Sequence, residues 1–262
     1  MLRALFIGDV FGVPGRRCLQ SLLPVLRQRL APDLVVVNGE NASGGLGLAA
    51  REAKEIFMAG VDVITTGNHV WKQRDLVPLL KQEPHLLRPA NYPQGAPGQG
   101  WVIARARSGH EVAVVNLEGR TFMTPLDCPF ATLDKLLEGP LAGCAMVCVD
   151  MHAEATSEKQ ALAWHFDGRV SAVVGTHTHV QTADERILPR GLAYITDLGM
   201  TGPQASVIGM DPDAAIPRFL AQRPQPFRVA ADDPWLHGAL VSIDEISGAA
   251  VNIERIKEPL KE

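Results

Sequence analysis

Short continuous apolar runs alternate along this chain with segments whose apolar residues recur every three or four positions. Residues 2–8 (Leu-Arg-Ala-Leu-Phe-Ile-Gly) read as a buried strand. After a turn punctuated by glycine and proline, Leu19, Leu22, Leu23, Leu26 and Leu30 predict a helix over 16–30. The unit repeats with a strand at 34–38, a glycine-rich loop at 44–47, a helix at 49–60 stopped by Gly60, a strand at 61–66 and a helix near 74–81. Residues 84–100 then hold four prolines and three glycines and read as a long irregular excursion. Strands at 101–106 and 111–117 form a hairpin across Ser108-Gly109, so a second, partly antiparallel sheet is expected to begin there. Further on come a helix at 130–137, a strand at 145–149, and a helix at 157–166 with Ser157 and Gln160 placed as a capping box. A strand at 169–175, short strands at 186–188 and 192–196, a helix near 212–222 and strands at 236–243 and 249–256 complete the pattern. Mixed βαβ and ββ order predicts an α/β fold of two stacked mixed β-sheets flanked by helices, within one domain spanning 1–262.

Composition narrows the function classes. With 46% hydrophobic and 21% charged residues the chain reads as soluble and globular, and its net charge of −4 argues against a binder of long nucleic acid. No apolar run is long enough to suggest a membrane span, and the start lacks a signal-peptide pattern, so a cytoplasmic protein is expected. Cys18, Cys128, Cys144 and Cys148 form no CxxC pair and are expected as buried thiols, the last two within one strand. Strand edges that need covering make a homo-oligomer a reasonable expectation.

The chemistry lies where the apolar runs end. The first closes on Gly8-Asp9, the second on Asn38-Gly39-Glu40-Asn41, the third on Gly67-Asn68-His69, a later one on Asp150-Met151-His152 and the next on Gly175-Thr176-His177-Thr178-His179. Ligands of open α/β sheets gather outside the carboxyl ends of the strands, so parallel strands would bring all five endings to one edge. In a strand, His177 and His179 at i, i+2 would share a face. Singly, Gly8-Asp9 or Asn38-Gly39-Glu40-Asn41 reads first as a turn; the five together, in this order, do not.

Three histidines, two carboxylates and one or two amide oxygens, with no thiolate, suit Mn, Fe or Zn better than a structural zinc site. The set exceeds what one four-coordinate ion uses, and Glu40 could bridge two ions of the kind that clamp both oxygens of a phosphoryl displacement. Arg120 could reach a phosphate or be solvated, with Asn116 and Glu118 beside it on a loop. Asp197 could brace a histidine; Trp71 and Tyr92 could stack on a base or pack; 44–47, without P-loop spacing, reads as a flexible loop.

The ordered set Gly-Asp, Gly-Glu-Asn, Gly-Asn-His, a lone His and Gly-Thr-His-Thr-His resembles the calcineurin-like metallophosphoesterases. Phe-Ile-Gly-Asp-Val-Phe-Gly, Asn-Gly-Glu-Asn-Ala, Thr-Thr-Gly-Asn-His-Val-Trp and Gly-Thr-His-Thr-His-Val-Gln resemble their YmdB branch more closely, over nearly the whole chain. Phe11 stands where a first-motif histidine is usual, and Glu40-Asn41 replaces the bridging Asp motif; both departures match that branch.

The resemblance implies a four-layer α-β-β-α sandwich and a phosphodiesterase acting on small phosphodiesters, 2',3'-cyclic nucleotides foremost, through a hydroxide activated by two metals. It places Asp9, Glu40, Asn41 and His179 on one ion, and Glu40, Asn68, His152 and His177 on the other. The ions would be divalent or mixed-valence transition metals, Fe or Mn before Zn. His69 is left to contact substrate as the catalytic residue. A phosphomonoesterase or nucleotidase with the same site, and a metal-dependent nucleotide sensor without turnover, remain as alternatives.

Overall fold

The computed structural model describes residues 1–223 and 226–261. In chain order its first half comprises β1 (Leu2–Ile7), α1 (Gly12–Leu30), β2 (Leu34–Asn38), α2 (Ala50–Met58), β3 (Val63–Thr65), α3 (Leu76–Gln82), β4 (Trp101–Arg105), β5 (Glu111–Glu118) and α4 (Pro129–Glu138). The second half comprises β6 (Val147–His152), α5 (Thr156–Phe166), β7 (Ala172–Thr176), β8 (Arg186–Ile187), β9 (Ala193–Ile195), β10 (Gly202–Pro203), α6 (Pro212–Ala221), β11 (Pro234–Ile243) and β12 (Ala250–Pro259).

These strands build two six-stranded sheets. In the first, β1, β2 and β3 run parallel, and β11 lies antiparallel to β1 with β10 and β12 along it. In the second, β5, β6, β7 and β9 run parallel, flanked by antiparallel β4 and β8. The pleat sorts each strand's residues between two cores. On β1, Ala4 and Phe6 enter the core between the sheets with Val36, Val114, Val174 and Val241, whereas Leu5 and Ile7 share a second core with α1, α2 and α3 through Leu19, Leu23, Ile56 and Leu80. On the far side Val115 and Val149 pack against α4 and α5 through Leu133, Leu162 and Phe166. The result is the four-layer order helix, sheet, sheet, helix that the alternation predicts.

Several boundaries differ for local reasons. Helix α1 starts at Gly12 rather than 16, because the Phe11 carbonyl already accepts from Gly15 N–H (3.0 Å) and Pro14 needs no partner in a first turn. The expected capping box on α5 is absent: Ala155 is the N-cap and makes no side-chain bond. Ser157 lies inside the helix, and the neighbouring Glu158 turns inward to accept from the backbone N–H groups of Arg120 and Thr121. Strand β6 starts at Val147, not 145, and runs on to include His152, so Cys144 precedes it. Cys144 and Cys128 are half-buried; only Cys18 and Cys148 are the buried thiols expected. Two-residue β10 is too short to leave a period in the sequence.

Candidate metal centre

The parallel strands of both sheets deliver their carboxyl ends to one place. Asp9, two residues past β1, is fully buried; its Oδ2 accepts from His177 N–H (3.1 Å), and its Oδ1 has no hydrogen-bond partner and lies 3.7 Å from His179 Nε2. Glu40, past β2, is also fully buried. Its Oε1 stands 3.1 Å from His152 Nε2, and its Oε2 accepts from His69 N–H at 3.1 Å. Past β3, Asn68 places Oδ1 3.0 Å from the same His152 Nε2, which His177 Nδ1 approaches to 3.1 Å. Ligand atoms of Glu40, His152 and His177 all lie within 4.8 Å of one another. His69 and Asn41 complete the cluster, with His69 Nδ1 2.7 Å from Asn41 Oδ1. Asn41 turns Nδ2, not its oxygen, toward His179 Nε2 (3.1 Å), which is the one side chain of the set oriented otherwise than a cation ligand.

The pleat does not explain how His177 and His179 converge. Strand β7 ends at Thr176, and both histidines have positive φ, 100° and 66°. Left-handed backbone at non-glycine residues costs on the order of 1–3 kcal/mol each and persists only where surroundings impose it. Here the surroundings are Asp9, which takes His177 N–H, and Asp197, which takes the N–H of half-buried Thr178 at 3.0 Å and of Gly199 at 2.8 Å. Asp197 in turn pairs with Lys159 Nζ (2.8 Å), which also donates to the Thr176 carbonyl (2.7 Å); both side chains are fully buried. Asp197 therefore braces the backbone of the histidine loop and accepts from no imidazole.

Each of the three histidines is anchored by its outer nitrogen. Thr176 Oγ1 donates to Asp150 Oδ1 (2.7 Å), so it accepts from His152 Nδ1–H (2.9 Å) and leaves Nε2 facing the cluster. Asn38 and Thr65 hydrogen-bond the other oxygen of the buried Asp150. His179 Nδ1 meets the Ile208 carbonyl at 2.9 Å, and His177 Nε2 meets Glu154 Oε2 at 3.2 Å, leaving Nδ1 inward. A Cβ on Gly67 would lie 2.1 Å from the His152 ring, so glycine alone allows this approach. Phe11 is buried edge-on to the His179 ring at 5.4 Å and fills the place of the usual motif histidine with packing.

Protonation within the cluster calls for positive charge. Burial raises the Asp9 carboxyl to about 6, against the pull of His179 and His152. Burial also opposes ionisation of Glu40, but His152 and His69 outweigh it and hold Glu40 at about 2. The reverse balance lifts His152 to about 9, where Glu40 overcomes burial, while burial and then His152 push His177 down to about 3. The unpartnered Asp9 oxygen, a buried anion and three inward imidazole nitrogens, with a proton on His152 Nε2 that a cation would displace, form a donor set that fits transition-metal cations.

The seven ligand candidates and His69 are thus brought together. Asp150, Thr176, Glu154 and Lys159 were not singled out from the sequence, and Lys159 gave no signal, since a lysine in a helical segment reads as surface. Asn116 and Glu118 lie within β5 and are fully buried, not on a loop, and Arg120 is solvent-exposed. Trp71 and Tyr92 pack on each other edge to face at 5.6 Å. Residues 44–47 form a hydrogen-bonded turn, with Gly45 N–H on the Asn41 carbonyl and Ser43 N–H on that of Gly47. Gly45, at φ 83°, has the Phe11 and Phe227 rings where a Cβ would sit.

A family model described as YmdB-like protein matches residues 5–256. A Bacillus subtilis (strain 168) protein named 2',3'-cyclic-nucleotide 2'-phosphodiesterase is 48% identical over 255 residues, covering 97% of this chain and 96% of its own. The crystal structure of a hypothetical protein from Thermus thermophilus is similar at a TM-score of 0.92 and 44% identity, over 98% of this chain and 99% of that one. A Mycoplasma pneumoniae protein described as a novel phosphatase has the same TM-score at 36% identity, over 98% and 93%.

Proposed function

Because the chain belongs to the YmdB-like family, matched over residues 5–256, we propose that it is a metal-dependent phosphodiesterase of small phosphodiesters, 2',3'-cyclic nucleotides foremost. It is a phosphoesterase in which one catalytic domain spans 1–262. The observation that carries the reading is the meeting of buried Glu40 and His152 with half-buried His177 beside an Asp9 oxygen without a partner.

Asp9, Glu40, Asn41 and His179 would hold one ion, and Glu40, Asn68, His152 and His177 the other, Fe or Mn before Zn. When bound, such a pair supplies Lewis-acid charge to the phosphoryl oxygens and ionises water near neutral pH. The chain does the rest. Glu40, between the two groups of ligands, keeps its charge through contact with His152 and His69. The Asn41 side-chain amide meets His69 Nδ1 at 2.7 Å and so orients the ring, and among the described residues His69 Nε2 has no protein partner. Burial lowers the pKa of His69, so the ring is mostly neutral at pH 7; its protonated fraction donates from Nε2 to the leaving oxygen. The product is a 2'- or 3'-nucleotide.

Net charge of −4 fits a compact substrate better than long nucleic acid, and no helix of the described residues is long and apolar enough to cross a membrane. Action in the cytoplasm is part of the same reading. So is a homo-oligomer: Phe219 and Leu220 of α6 are 76% and 81% exposed, apolar surface that a second copy would cover.

A panel of the four 2',3'-cyclic nucleotides and the matching nucleoside monophosphates, assayed before chelation, after it and after Mn is returned, tests the reading. The cyclic nucleotides are expected to be the better substrates, with activity lost and regained. Preference for monophosphates would make the enzyme a nucleotidase, and nucleotide binding without turnover in Mn a sensor.

A further inference from the structure

His179 has a second side that phosphate hydrolysis does not use. There a cavity of about 490 Å³ opens, a volume in the range of small-ligand sites. Val180, Met200, Val207 and Ile208 give it apolar walls. His237, on β11, also lines it; the residue is 4% exposed, and neither ring nitrogen has a hydrogen-bond partner. Buried polar groups in folded proteins are paired as a rule, so an imidazole at a cavity wall whose two nitrogens are shielded from solvent and unpaired marks a place where a small turn of the ring lets a ligand complete the pairing. A Cβ on Gly199 would sit 2.9 Å from His237 Nδ1, so that glycine also leaves room beside the ring.

The chemistry of the pocket decides what it takes. Arg255 and Lys257 are at its rim, but Arg255 Nε is paired with Glu185 Oε1 at 2.7 Å and Lys257 Nζ lies over the Trp235 ring at 5.0 Å. Burial, and then Lys257, hold the His237 imidazole down at about 4, which leaves one N–H donor and one acceptor at neutral pH. With Arg255 paired to Glu185 and the ring neutral, Lys257 is left as the one lining cation without an anionic partner among the described residues, which makes a poor phosphate site. Gln181 Nε2 is spent on the carbonyls of Leu198, Gly238 and Ile256, and Ser206 Oγ on the Pro203 carbonyl and Gly209 N–H, so apolar walls with the His237 ring and the Gln204 amide match the faces and edge of a flat heterocycle.

We propose that this pocket receives the nucleobase of the substrate and that His237 hydrogen-bonds the base edge, making it the specificity subsite of the enzyme. The pocket and the metal centre share His179, so a nucleotide with its phosphate among the ligands would lay its base against the far side of that ring. The proposal rests on the reading that the substrate is a nucleotide.

The test compares kcat/KM for 2',3'-cyclic nucleotides with that for methyl 4-nitrophenyl phosphate, a diester that carries no base, in wild type, His237→Leu and Val207→Trp. The ratio is expected to fall about tenfold in each variant, chiefly through KM for the nucleotide. Val207→Trp fills the pocket from its rim and keeps the test decisive if His237→Leu does not fold. An unchanged ratio, or an equal fall on both diesters, overturns the proposal. Should the wild type cleave the nitrophenyl ester and no cyclic nucleotide, the substrate reading fails by itself. The pocket is then judged by saturation-transfer NMR with free nucleosides: binding that Val207→Trp abolishes supports it, and no binding overturns it.

Discussion

Replacing Lys159 by methionine is expected to destabilise the protein by about 3–5 kcal/mol, because it strands a buried carboxylate. Asp197 is fully buried, and Lys159 is its cationic partner at 2.8 Å. The same lysine caps the Thr176 carbonyl at the point where β7 gives way to the histidine loop. Asp197 holds the N–H groups of Thr178 and Gly199, and so supports the left-handed backbone at His177 and His179. Activity should therefore fall with stability. The double variant Lys159→Met/Asp197→Asn removes both charges and is expected to recover most of the stability, since replacing a whole buried pair is often neutral. It should not recover the activity, because one amide oxygen replaces two carboxylate oxygens that now serve separate N–H groups. Urea unfolding and kcat/KM on the three proteins measure both. A Lys159→Met variant as stable and as active as wild type would remove this support from the account.

Glu40→Gln and His69→Ala should fail in different ways. Glu40 contacts His152 through Oε1 and His69 N–H through Oε2, and its charge is what both proposed ion positions share. Glutamine keeps the shape, but its amide NH2 must face one of these neighbours. The variant is expected to lose bound metal, and with it several kcal/mol of transition-state stabilisation, on the order of a thousandfold or more in kcat. His69→Ala removes a partly exposed ring and none of the proposed ligands. It should retain its metal while kcat falls roughly 10²–10⁴-fold, the usual worth of a positioned proton donor. Elemental analysis beside steady-state kinetics separates the two. Metal loss in His69→Ala, or full metal content in Glu40→Gln, would show the assignment to be wrong.

Much of this architecture is legible from residues alone, because strands buried on both faces are continuous apolar runs and helices carry a 3.6-residue period. The polar residues that close those runs were equally visible, since nothing in packing accounts for Asp9, Glu40, Asn68, His152 and His177 at successive strand ends. The reason for convergence was less visible. The i, i+2 spacing of His177 and His179 suggested one face of a pleat, yet the strand stops one residue earlier and the turn of the backbone does the aiming. That turn depends on Lys159, Asp197 and Asp9, far apart in sequence and close only after folding. Glu154 and Asp150, which fix the outer sides of His177 and His152, likewise leave no periodic trace. The pocket beside His179 is hidden for the same reason, as His237 reads simply as one residue of an apolar strand.

The proposed function requires two cations on seven side chains, and crystal diffraction collected at the Fe, Mn and Zn absorption edges on enzyme of measured activity detects them. Two anomalous peaks are expected, one among Asp9, Glu40, Asn41 and His179, with the Asn41 oxygen turned inward, and one among Glu40, Asn68, His152 and His177. A single peak, or none, in crystals of fully active enzyme would contradict it.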